Sequence, residues 1–162
     1  MTWLQFFSFS FLYCFGNQKA HQESLRRYLK KCKLLKEISF KLFGSFKFGD
    51  VELQSLSRAF KACALLQNLH LSFPECQNIT DVGLYSVGKD LKGLNSLRKI
   101  WIDLSSCSNI TGKGLQYLSE SLKGLESLQV LKLTTDYCPK ITDRGLIFVR
   151  LLINSLVYKE SH

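Results

Sequence analysis

The chain has 162 residues, 46% hydrophobic and 22% charged, with a formal net charge of +9 at neutral pH. One domain's length and an ordinary globular balance exclude intrinsic disorder. The charge is uneven, since residues 1–50 carry nine Lys and Arg against Glu23, Glu37 and Asp50, whereas residues 51–162 carry thirteen against ten.

The first segment, residues 1–15, is apolar and aromatic. It is too short to cross a bilayer, which needs about 20 apolar residues. No basic residue precedes it and no small-x-small cleavage site follows before Lys19, which weakens a signal peptide. Two readings stay open: a targeting or anchoring segment, or a degenerate strand carrying Leu4, Phe7 and Phe9. The next stretch, Arg26-Arg27-Tyr28-Leu29-Lys30-Lys31-Cys32-Lys33, reads as a helix with Leu25, Leu29 and Cys32 inward. Its cations form a solvated convex face or a patch for an acidic partner.

From residue 35 onward the chain repeats. Leu35, Leu66, Leu97 and Leu128 stand 31 residues apart, and so do Ile38, Leu69, Ile100, Leu131 and then Phe40, Leu71, Ile102, Leu133. Within each period follow Cys76-Gln-Asn-Ile-Thr-Asp-Val-Gly-Leu84, Cys107-Ser-Asn-Ile-Thr-Gly-Lys-Gly-Leu115 and Cys138-Pro-Lys-Ile-Thr-Asp-Arg-Gly-Leu146. Self-similarity at such a period marks a stacked repeat array. The units are 35–65, 66–96, 97–127 and 128–158, preceded by a degenerate N-terminal repeat at 1–34. Together they make one domain spanning 1–162.

Each unit begins with alternating apolar residues such as Ile100 and Ile102, which predict a short half-buried strand. Its second half places Leu84, Val87, Leu91 and Leu94 on one stripe of a helix. Thr80, Thr111 and Thr142 stand where an N-cap hydroxyl belongs, with Asp81 and Asp143 in the first turn near the positive end of the helix dipole. Gly83, Gly114 and Gly145 read as sites of close packing at the helix start. Strand, helix, strand in succession gives parallel strands joined by right-handed crossovers. Each buried apolar side chain contributes about 1.5–3 kcal/mol, against about 1.5 kcal/mol of ordering entropy per residue, so a unit needs both neighbours to fold.

These columns resemble leucine-rich repeats, and the C-x-x-I-T-D-x-G-L block resembles their cysteine-containing, ribonuclease-inhibitor-like subclass, although the units here run longer. The resemblance implies an α/β right-handed solenoid, a horseshoe with a parallel concave sheet, convex helices and 31-residue repeats. It also suggests, as an alternative role, a substrate-recognition or adaptor subunit of a ubiquitin ligase. No F-box-like segment is present in the sequence, so that role would require a partner chain.

Six cysteines occupy two repeat columns that Ser45, Leu94, Leu125 and Leu156 also fill, so they read as buried packing positions. That points to a reduced, cytoplasmic chain rather than a secreted disulfide framework. No C-x-x-C pair suggests a metal site. His21, His70 and His162 lie in no catalytic motif, and no phosphate loop, nucleophile elbow or zinc-protease signature occurs. No catalytic, cofactor or metal site and no small-molecule substrate are expected, and no nucleic-acid recognition motif accompanies the charge.

The residues alternating with the strand leucines must line the concave face, with equivalent positions about 4.8 Å apart in adjacent strands. They form three rows: Glu37, Asn68, Lys99, Val130; Ser39, His70, Trp101, Lys132; and Lys41, Ser72, Asp103, Thr134. Trp101, between His70 and Lys132 and flanked by Lys99 and Asp103, has the composition of a protein-binding hot spot. A ring resting on the stems of Lys99 and Lys132 would give the same pattern. Such a floor is smaller than the roughly 800 Å² a stable partner covers, so the loops after the strands, with Phe73 and Tyr137, are expected to form a contributing rim. The last unit shows no polar cap, which leaves end-to-end self-association open.

Overall fold

The computed structural model describes residues 6–12, 27 and 34–159. The other N-terminal positions, including Cys14, Cys32 and most of the basic run, lie outside the described residues. The order is β1 (Phe6–Leu12), β2 (Glu37–Phe43), α1 (Asp50–Phe60), β3 (Asn68–Ser72), α2 (Asp81–Leu91), β4 (Lys99–Asp103), α3 (Gly112–Leu122), β5 (Val130–Thr134) and α4 (Asp143–Lys159). The strands form one five-stranded parallel sheet in chain order. Asn68 pairs with Lys99 and Lys99 with Val130, and Phe7 pairs with Ile38 at the β1 edge.

Alternation decides which face of the sheet is dry. Ile100 and Ile102 are buried while Lys99 and Trp101 are exposed, and β3 follows the same rule with Leu69 and Leu71 inside. The helices lay Leu53, Leu84 and Leu115 onto that buried face, together with Phe60, Leu91 and Leu122 one face-period later. A single core therefore runs the length of the stack. At its last strand the seal is partial, since Leu131 and Leu133 are only half-buried.

Polar groups stitch one repeat to the next. The Asp50 carboxylate accepts from Thr80 N at 2.8 Å, Thr80 Oγ1 at 2.6 Å and Gly83 N at 3.0 Å. Asp81 accepts likewise from Thr111 N at 2.8 Å and Thr111 Oγ1 at 2.6 Å. Thr80 and Thr111 also cap their helices, accepting from Val82 N and Lys113 N. A Cβ on Gly83 would stand 2.5 Å from Asp50 Oδ1, and one on Gly114 would stand 2.4 Å from Asp81 Oδ1. Gly112 replaces the aspartate in the next unit, and there α3 and α4 approach through glycine, with a Gly145 Cβ only 2.5 Å from Gly112 Cα.

The cysteine column is buried. Cys76, Cys107 and Cys138 carry free thiols that donate to Leu42 O, Phe73 O and Leu104 O of the preceding unit. Burial pushes the Cys76 thiol up to about 11 and the Cys107 thiol up to about 12. Cys63 is buried too. Among the described residues no helix is long and apolar enough to cross a membrane.

Candidate functional site

The site begins with the pleat of β4. Because Ile100 and Ile102 point into the core, the chain has no choice but to turn Lys99, Trp101 and Asp103 to the other face. The parallel register then sets His70 of β3 and Lys132 of β5 on either side of Trp101. All three expected rows assemble on this face.

Trp101 keeps 44% of its surface exposed. The His70 ring meets it edge-on, with centroids 5.4 Å apart and planes at 75°. On the other side Lys132 Nζ stands 5.8 Å from the indole centroid, within reach of a cation–π attraction. Both flanking side chains thus hold the indole upright while leaving nearly half of it open. A shallow cavity of about 250 Å³ adjoins the ring, lined by Glu37, Ser39, Asn68, Leu69, His70, Lys99 and Trp101.

Charge on the floor is partly committed. Asn68 Nδ2 donates to Glu37 Oε2 at 3.3 Å. Asp103 accepts from Ser105 N at 3.0 Å, Ser105 Oγ at 2.6 Å and Ser72 Oγ at 3.3 Å. Its carboxylate therefore fixes the loop after β4 from the exposed face of the sheet. Lys41, Lys99 and Lys132 are exposed. Burial holds the His70 pKa below the usual 6.5, and the Lys41 charge lowers it further, so the imidazole facing Trp101 is neutral near pH 7. Thr134, at the end of β5, is half-buried at the edge of the row.

The two expected rim residues separate. Tyr137 is 88% exposed, with φ at 58° in the left-handed region that Glu75 and Ser106 share at the equivalent turn. Phe73 is not a rim residue, because only 1% of it is exposed and its ring stacks on Phe48 at 5.0 Å and packs on Phe40 at 5.7 Å. The alternation of β3 carries one step further through it, since Phe73 has the parity of Leu69 and Leu71 and turns to the same buried side. The column makes this readable, since Leu104 stands at the same place in the next unit and is buried as well.

Sequence reasoning did not find the inter-repeat polar ladder that fixes the rim. Gln77 Nε2 donates to Ser106 O at 2.7 Å, and its Oε1 accepts from Ser108 N at 2.9 Å. Asn109 Nδ2 donates back to Gln77 O at 2.9 Å, as Asn78 Nδ2 does to Phe46 O. The repeated Asn before Ile-Thr was the available signal.

Neither a family model nor a curated protein sequence matches the chain. Among solved structures it is similar to the tropomodulin C-terminal domain of Caenorhabditis elegans, with a TM-score of 0.64 and 14% sequence identity over 99% of this chain and 88% of that one. That domain has a leucine-rich-repeat-type fold. At this identity the likeness speaks to the fold alone.

Proposed function

We propose that the chain is a non-catalytic protein-binding module that grips its partner with the exposed sheet around Trp101. The observation that carries the reading is an indole propped between His70 and Lys132, nearly half open, beside a cavity. A desolvatable aromatic at the centre of a polar grid is where binding energy concentrates. Tyr137 extends the surface at the rim. The fuller architecture proposed with it is a right-handed horseshoe of 31-residue, ribonuclease-inhibitor-like repeats, working in the cytoplasm.

Affinity purification with wild type, Trp101→Ala and Lys132→Glu tests this. Partners retained by wild type are expected to be lost from both variants. If both variants retain every captured protein at wild-type yield, the concave-face reading is wrong. The outer edge of β5, where Leu131 and Leu133 are half-buried although Ile100 and Ile102 are sealed, supports a second reading, end-to-end association of copies. Sedimentation across a concentration series tests it, and a mass that stays monomeric at every concentration refutes it.

A further inference from the structure

The helices of a solenoid bury one stripe and should turn polar rows to water. Here they also expose apolar residues, Val51 alone on α1 and several on the other three. On the outward rows of α2, α3 and α4, Val82 is 62% exposed, Tyr85 50%, Tyr117 45%, Ile147 49% and Leu151 54%. Helical spacing joins these into a continuous surface, since Val82 and Tyr85 are one turn apart on α2 and Ile147 and Leu151 one turn apart on α4. Tyr117 of α3 lies between, its ring meeting Tyr85 edge-on with centroids 5.7 Å apart and planes at 79°. Tyr85 and Tyr117 are not repeat equivalents, being 32 residues apart. The pair is therefore a property of this surface and not a by-product of the repeat.

The charged residues on the same rows have a sign. Lys89 follows Tyr85 by one turn, Lys113 precedes Tyr117 by one turn, and Arg144 precedes Ile147 by three residues; all three are exposed. Two exposed carboxylates stand among them, Asp143 one turn before Ile147 and Glu120, which accepts from Gln116 Nε2 at 2.9 Å, so the cations outnumber the acids. An aromatic and aliphatic centre bordered by cations is the composition of a docking surface, with tyrosine enriched at interface hot spots.

We propose that the outward face of α2, α3 and α4, centred on the Tyr85–Tyr117 pair, is a second docking surface that takes an acidic amphipathic helix from a protein partner. The apolar side chains sit at turn-by-turn spacing, which a partner helix meets with anchors at i, i+3, i+4 and i+7. Lys89, Lys113 and Arg144 then face carboxylates along that helix, which sets its sign and speeds its approach. The surface lies on the opposite side of the molecule from Trp101 and works independently of it.

The test uses a fluorescent helical peptide of about five turns, with leucines on one stripe and glutamates elsewhere, titrated with the full chain and read by anisotropy. Saturable binding is expected, weakened at least ten-fold by Tyr85→Ser with Tyr117→Ser, weakened similarly by Lys113→Glu with Arg144→Glu, weakened by added salt, and unchanged in Trp101→Ala. These substitutions are on exposed positions, and circular dichroism confirms that each variant keeps its fold. Equal binding of a lysine-for-glutamate peptide would overturn the proposal, as would wild-type affinity in both double variants. So would binding to phosphatidylserine vesicles in place of the peptide, or a self-association that both double variants abolish.

Discussion

Replacing Asp50 by alanine tests whether polar stitching between repeats, and not apolar burial alone, holds the stack in register. The substitution removes the acceptor of three hydrogen bonds, from Thr80 N, Thr80 Oγ1 and Gly83 N. A hydrogen bond to a charged group contributes about 1.5–3 kcal/mol, and a donor left unpaired costs about 1–3 kcal/mol. Asp50 is half-buried, so water replaces part of what is lost, and the three bonds share one acceptor and do not add. The expected loss is about 2–4 kcal/mol, which at about 2–4 °C per kcal/mol for this size lowers Tm by about 4–16 °C. Asp81→Ala removes two such bonds in place of three and is expected to cost less. Urea denaturation followed by circular dichroism at 222 nm measures both. If Asp50→Ala costs no more than the exposed Glu120→Ala, or if the order of the two aspartates reverses, the carboxylates are incidental to the stack.

Gly145→Ala places a methyl 2.5 Å from Gly112 Cα, backbone that cannot swing aside, so it is expected to destabilise by at least about 2 kcal/mol, whereas Gly93→Ala meets nothing and is expected to cost far less; thermal melts compare them. Cys107, held as a thiol by a pKa of about 12, is expected to resist iodoacetamide at pH 8 and to react when urea unfolds the chain, which mass spectrometry reads peptide by peptide. His70 has a folded pKa below its unfolded value, so between the two the unfolded chain binds more protons; stability is then expected to fall as pH drops below 6.5, and His70→Gln is expected to flatten that slope in urea midpoints taken from pH 7.5 to pH 5.

The sheet and its inward and outward faces were legible because burial imposes a period. Ile100 and Ile102 must be apolar for the strand to pack, which leaves Trp101 no face but the open one. The helix caps were legible for the same reason, since Thr80 and Thr111 recur at the only place where their hydroxyls are needed. What the columns could not reveal is a contact whose partner lies one unit on. Asp81 looks like a helix-dipole residue when read within its own unit, yet its carboxylate serves Thr111 of the next. Phe73 was placed on the rim because it was assigned to the loop after β3, whereas the alternation of Leu69 and Leu71 carries one residue further and puts its ring inside. The outward tyrosines gave no periodic signal at all, being offset by one residue between α2 and α3.

This division follows from what repetition constrains. A core position must fit the unit before and the unit after, so Leu69 and Ile100 are near copies, and a substitution at either is felt in two interfaces. An outward position answers to neither neighbour. Ser39, His70, Trp101 and Lys132 occupy one row with four different chemistries because water tolerates all of them. The parallel register still fixes their spacing at about 4.8 Å, so unlike side chains are held side by side at a distance they could not keep on a flexible loop. A rigid core thus supplies the preorganisation, which lowers the ordering cost of association. It follows that weakening the stack beneath the site should weaken binding without touching a contact residue. Ile100→Ala, next to Trp101 on the opposite face of β4 and removing core volume at a fully buried position, is expected to reduce affinity for any partner bound on the exposed sheet face while leaving Trp101 in place. An unchanged affinity in that variant, with the expected loss of a few kcal/mol in stability, would show that the surface does not depend on the rigidity below it.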